Sequence, residues 1–111
     1  MDVNSTEYNS KDFDHFVGLL INRWKQAVEF KDEWRTLDRE ERFIYVEEWT
    51  INNDIVGQLE EYARSHELTD GQRVRWNQLS EYMITHKADM EKMGYRVHIP
   101  KEPKRREREV A

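Results

Sequence analysis

Four histidines, His15, His66, His86 and His98, and a large complement of carboxylates are the side chains of this chain that could hold a metal. Di-metal sites in helical bundles draw on inward-facing Glu residues and a Glu-x-x-His pair on each of two helices. No histidine here has Glu three residues before it. Asp12-x-x-His15 comes nearest, and it falls in a first helical turn, where the helix dipole favours acids anyway. No metal and no cofactor is expected. Nucleophilic chemistry finds as little to work with: there is no cysteine, no Gly-x-Ser-x-Gly elbow and no glycine-rich phosphate loop. Ser80 and His86 stand six residues apart on one expected helix and so point in different directions. Glu47 and Glu48 could supply an acid and a base, but consecutive helical residues diverge by about 100° and cannot share a small pocket. The residue types point away from an enzyme.

Basic side chains concentrate at the C-terminus. Residues 101–111 hold five basic and three acidic residues, whereas residues 1–100 hold 13 and 20. An acidic body repels phosphate backbones, so nucleic-acid contact would depend on a local patch. Lys104, Arg105 and Arg106 in the tail are the candidates. Arg73 and Arg75 join them near the start of the third expected helix, where Gln72 and Asn77 are also base-reading residue types. A nucleic-acid-binding regulator using that helix and the tail is the alternative functional reading.

The aromatic residues carry the leading one. Four Trp, five Tyr and four Phe are many for 111 residues. Trp24 belongs to a regular apolar stripe, but Trp34 lies in a charged connector and Trp49 on a second stripe, near Tyr45 and Val56. Trp and Tyr are enriched where a protein anchors into a partner. The expectation is a small, acidic, non-enzymatic protein-binding module (an adaptor, inhibitor, assembly factor or structural subunit) with Trp34, Tyr45, Trp49 and Val56 as its protein-binding residues. Met83, Met90 and Met93 line one side of the third helix, where methionine most often fills core.

These residues must be positioned by a thin fold. The length allows one domain, and Leu, Ile, Val and Phe together make only 24 residues. Four glycines and two prolines leave too few turns for a many-stranded sandwich or barrel. Phe13, Phe16, Val17, Leu20, Ile21, Trp24, Ala27 and Val28 follow helical spacing and predict a helix over 11–30. Asp38 with Glu41 makes a capping-box spacing that starts a second helix, which runs to about residue 65. Leu37 occupies the position before that cap, but Arg42 stands where a hydrophobic staple needs an apolar partner. Ile44, Ile51, Ile55, Leu59 and Tyr62 form one stripe of this helix and Tyr45, Trp49, Val56 and Ala63 another. So wide an apolar arc implies a central helix or one shared with a second chain, and a homodimer is expected. Asn52-Asn53-Asp54 would kink it. Thr69 with Gln72 caps a third helix over 70–93, closed by Gly94 at the left-handed position. Tyr95, Val97 and Ile99 alternate with Arg96 and His98, the pattern of a half-buried extended segment.

The fold class is therefore all-α: an elongated antiparallel three-helix bundle over residues 10–99, with an extended C-terminal segment. A flexible N-terminus, residues 1–9, precedes it, and a charged disordered tail, residues 100–111, follows. With no apolar run near the roughly 20 residues of a membrane helix and a polar start, a soluble cytoplasmic protein is expected, with no membrane partner.

Overall fold

A computed structural model describes residues 7–100. Three α-helices make up the fold: α1 (Ser10–Glu29), α2 (Arg39–Ser65) and α3 (Asp70–Lys92), with a 3₁₀ helix (Phe30–Thr36) between the first two. All three α-helices begin with the same local chemistry. The Asp38 carboxylate accepts the Glu41 N–H at 2.9 Å while the Glu41 side chain accepts the Asp38 N–H at 3.0 Å. Thr69 and Gln72 exchange the same two bonds. A third box, which the sequence reading did not identify, joins Asn9 and Asp12 at 2.8 and 3.0 Å. Its Asp in place of the usual Glu or Gln hides it from the standard pattern, although the shorter acid reaches the same N–H.

The 3₁₀ helix occupies the stretch expected to be a charged connector, and Arg42 shows why it holds. From the staple position, Arg42 Nε donates to the Trp34 carbonyl at 3.2 Å and Nη2 to the Arg35 carbonyl at 3.3 Å. Its guanidinium carbon lies 5.9 Å from the centroid of the Trp34 ring, within cation–π range. An arginine thus fastens the chain entering α2, where an apolar side chain would ordinarily do so.

The helix order follows from which ends meet. Phe13, near the start of α1, packs on Tyr62 near the end of α2 and on Trp76 near the start of α3, with ring centroids 4.9 and 5.7 Å apart. Trp24, near the end of α1, meets Trp49 of α2 edge to face at 5.6 Å. Lys31 pairs with Asp89 near the end of α3 at 3.2 Å. The chain therefore runs up, down and up, with α2 antiparallel to both neighbours in sequence and α1 parallel to α3. Gln72 locks the shared end of α1 and α3. While its Oε1 completes the α3 capping box, its Nε2 donates to Ser10 Oγ at 3.0 Å and to Asp14 Oδ1 at 3.1 Å.

The central helix is α1, against which both α2 and α3 pack. The wide apolar arc of α2 suggested that α2 would hold that place. One stripe suffices for α1, because Phe13, Val17, Leu20 and Trp24 recur at helical spacing and are all buried. Leu59, Leu79, Met83 and Met90 close the core from the other two helices. α2 stays helical throughout Asn52–Asp54. Asn52 is buried and accepts from Arg23 Nη1 at 2.7 Å, and Asn53 holds the C-terminal segment, so both side chains are engaged away from their own helix.

α3 ends in a Schellman motif. The Tyr95 N–H bonds to the Met90 carbonyl at 3.1 Å and the Gly94 N–H to the Glu91 carbonyl at 2.9 Å, with Gly94 at φ +102°. Beyond it the chain is extended, and the expected alternation holds: Tyr95, Val97 and Ile99 turn inward while Arg96 and His98 are exposed. This segment travels along α2 in the same direction, from Trp49 past Asn53 to Glu60. The expected flexible N-terminus and disordered tail fall outside the described residues, apart from residues 7–9 and Pro100.

Candidate functional site

The four expected protein-binding residues divide between interior and surface. Val56 is 1% exposed and belongs wholly to the core, while Trp34 and Trp49 are buried and Tyr45 is exposed. Three of them do come together. Trp34 packs on Tyr45 at 6.1 Å and on Tyr95 at 5.3 Å, and Tyr95 packs on Trp49 at 5.0 Å, which in turn meets Trp24. The rings thus form a continuous chain from the 3₁₀ helix through the C-terminal segment to α1. Tyr95 is its hub, a role that the alternating pattern of an extended segment does not disclose. Burial, with Tyr45 and Glu48 adding to it, pushes the Tyr95 phenol up to about 12.

A cleft of about 540 Å³ opens beside this cluster, between the C-terminal half of α1 and the N-terminal half of α2. Phe30, Tyr45, Trp49 and Tyr95 supply its aromatic wall; Arg23, Gln26, Glu48 and Asn52 supply its polar groups. The Trp49 indole Nε1–H is buried and has no acceptor among the described residues.

Next to the cleft, and sharing Ile51 with its lining, lies an exposed apolar strip on α2. Phe43, Ile44 and Ile51 are 62%, 54% and 57% exposed. The stripe that begins with Ile44 and Ile51 changes character along α2, since its later members Ile55, Leu59 and Tyr62 are buried. The N-terminal half of α2 packs through Tyr45 and Trp49 on Trp34 and Tyr95, and the strip lies on the other side. The sequence did hold a signal for this. Glu40, Glu47 and Asp54 recur every seven residues on the same face as the strip, and acids interleaved in this way do not belong to a core-facing stripe.

The alternative nucleic-acid residues are differently placed. Arg73 Nη2 donates to the Leu68 carbonyl at 3.0 Å, and Arg75 lies across α1 beside Gly18. Gln72, expected as a base-reading type, is buried and committed to α1. Lys104, Arg105 and Arg106 lie outside the described residues. No cluster of three or more potential metal ligands occurs among the described residues, and no described helix is long and apolar enough to cross a membrane.

The class these features define is an all-α three-helix domain carrying an aromatic cleft and an adjoining exposed apolar strip. No family model, curated protein or solved structure matches the chain.

Proposed function

We propose that the chain is a small non-enzymatic protein-binding module that engages its partner through the N-terminal half of α2. The observation that carries this reading is the cluster of Phe43, Ile44 and Ile51, all more than half exposed on one helix face. Scattered apolar residues on a surface need no explanation, but three large ones together beside a cleft have the composition of a docking patch. Tyr45, exposed at the cleft edge and packed at a tilt on Phe30 with ring centroids 5.4 Å apart, supplies the kind of rigid aromatic contact that dominates binding energy. Trp34 and Trp49 support the surface from beneath by fixing Tyr45 and the cleft wall.

The test is affinity capture from the native host, comparing the unaltered chain with the Phe43→Asp/Ile51→Asp variant. Both positions are exposed, so the variant should keep its helical circular dichroism. Proteins captured by the unaltered chain and lost by the variant support the reading. Identical captured sets would refute it.

A further inference from the structure

The charge around the strip is as informative as the strip. Glu40, Glu47, Asp54 and Glu61 follow one another at seven-residue spacing along α2, and Ile44 and Ile51 keep the same spacing beside them. Seven residues fall about 20° short of two full turns, so both rows run nearly parallel to the helix axis. Between Arg42 and Arg64 the helix has no basic residue. Glu61 is paired with Arg64. Glu40, Glu47, Glu48 and Asp54 are exposed and make no ion pair among the described residues. Arg39 lines the hollow beside Glu40, Phe43 and Ile44, so the charge around the Ile44–Ile51 row is one arginine against the four acids Glu40, Glu47, Glu48 and Asp54.

From this complementarity we infer that the occupant of the face is a basic amphipathic helix of another protein, with Lys or Arg flanking its apolar stripe. The inference rests on the reading of this face as a docking surface. A second copy of the chain is disfavoured by charge. Antiparallel pairing about Glu47 matches Phe43 with Ile51 but sets Glu40 against Asp54 and Glu47 against its own copy, and parallel pairing sets every acid against itself. Like charges so placed oppose association. An anionic lipid surface meets the same repulsion. An extended peptide is disfavoured by hydrogen bonding, since the backbone groups in the middle of α2 are already bonded within the helix. A helix satisfies its own backbone and needs only apolar contact and opposite charge, which is what this face offers.

Two synthetic helical peptides with one apolar face test it, one flanked by lysines and its twin by glutamates. Binding to the full chain is read by calorimetry at low and physiological salt. The lysine peptide should bind about tenfold or more tightly than the glutamate peptide at low salt, and salt should narrow the difference. The Glu47→Lys/Asp54→Lys variant should invert the preference, and Ile44→Asp/Ile51→Asp should abolish binding of both. Equal binding of the two peptides, lost in Ile44→Asp/Ile51→Asp, overturns the basic-partner inference while leaving the docking face standing. Binding of neither peptide overturns it as well. Sedimentation showing a dimer of the unaltered chain that Ile44→Asp/Ile51→Asp dissociates overturns it in favour of a second copy. Direct co-sedimentation of the unaltered chain with anionic vesicles, lost in Ile44→Asp/Ile51→Asp, does so in favour of a membrane. The capture experiment above decides the docking face separately, because it does not depend on peptide charge.

Discussion

Asn53 Oδ1 accepts the main-chain N–H of His98 at 2.9 Å, and the Nδ2 of the same amide donates to the Arg96 carbonyl at 2.7 Å. One side chain in the middle of α2 thereby closes on the backbone to either side of Val97. His98 answers with its own side chain, whose Nε2 stands 3.0 Å from Glu60 Oε1. The extended segment has no strand partner among the described residues, so these bonds and the inward side chains hold it to α2.

Asn53→Ala should release the segment. Two net hydrogen bonds to backbone are lost at an exposed site, for a destabilisation of about 1 kcal/mol. Hydrogen exchange at the His98 amide should accelerate in the same variant. Asn53→Asp keeps the acceptor and loses only the donor, so the His98 amide should stay protected while overall stability falls. Urea unfolding and amide exchange measure the two effects.

Gln72→Ala should be the more damaging change. It removes one half of the α3 capping box and the links to Ser10 and Asp14 in a buried setting. A loss of about 2–3 kcal/mol is expected, because the groups left behind are partly buried. Fraying should appear at the starts of both α1 and α3, which amide exchange resolves residue by residue.

Two glycines should respond in opposite senses. Gly57 lies inside α2 with open space where a Cβ would be, so Gly57→Ala should stabilise the protein by about 0.5–1 kcal/mol through helix propensity. A Cβ on Gly94 would meet only Val46 Cγ2, at an ordinary 3.9 Å. The backbone there sits at φ +102°, which side chains resist, so Gly94→Ala should destabilise by about 1–2 kcal/mol. Thermal or urea midpoints decide both.

Stability should fall in strong alkali through Tyr95. Its folded-state value of about 12 lies above the ordinary phenol value of 10.0, so the folded protein holds this proton more tightly than the unfolded chain does. The stabilisation is complete below pH 10 and is lost as pH climbs from there through 12. Tyr95→Phe keeps the ring and removes the titration, and it should flatten that part of the stability profile. Unfolding free energies measured across this range test the sign, and the latest-ionising component of the tyrosinate absorbance should disappear in Tyr95→Phe.

Much of the fold is legible in sequence because helix boundaries are local. A capping box spans four residues and a Schellman motif six, so Asp38, Thr69 and Gly94 announce themselves wherever the helices later go. Asn9 escaped only because Asp12 is an uncommon third-position partner. The alternation of Tyr95, Val97 and Ile99 needed no more than one apolar surface beside it.

The candidate site was legible in part. Tyr45 and its neighbourhood stand out as a surplus of aromatic residues, but a surplus says nothing about which rings face inward. Trp34 and Trp49 are equally apolar whether they anchor a partner or support a wall. Their burial depends on Tyr95, which lies 61 residues from Trp34 and 46 from Trp49 along the chain.

By itself, then, the sequence determined where helices start and stop and that the chain carries more apolar helix surface than one stripe per helix requires. Those outcomes depend on hydrogen bonds and periodicities that act within a few residues. Only the tertiary structure decided that α1 is central, that Trp34 is buried behind Tyr45 while Trp49 forms part of the cleft wall, and that Phe43, Ile44 and Ile51 remain outside among exposed acids. Burial is a property of what arrives from elsewhere in the chain. For the N-terminal half of α2, the arriving rings are Trp24, Phe30, Trp34 and Tyr95, which pack on Tyr45 and Trp49 on the face opposite the strip.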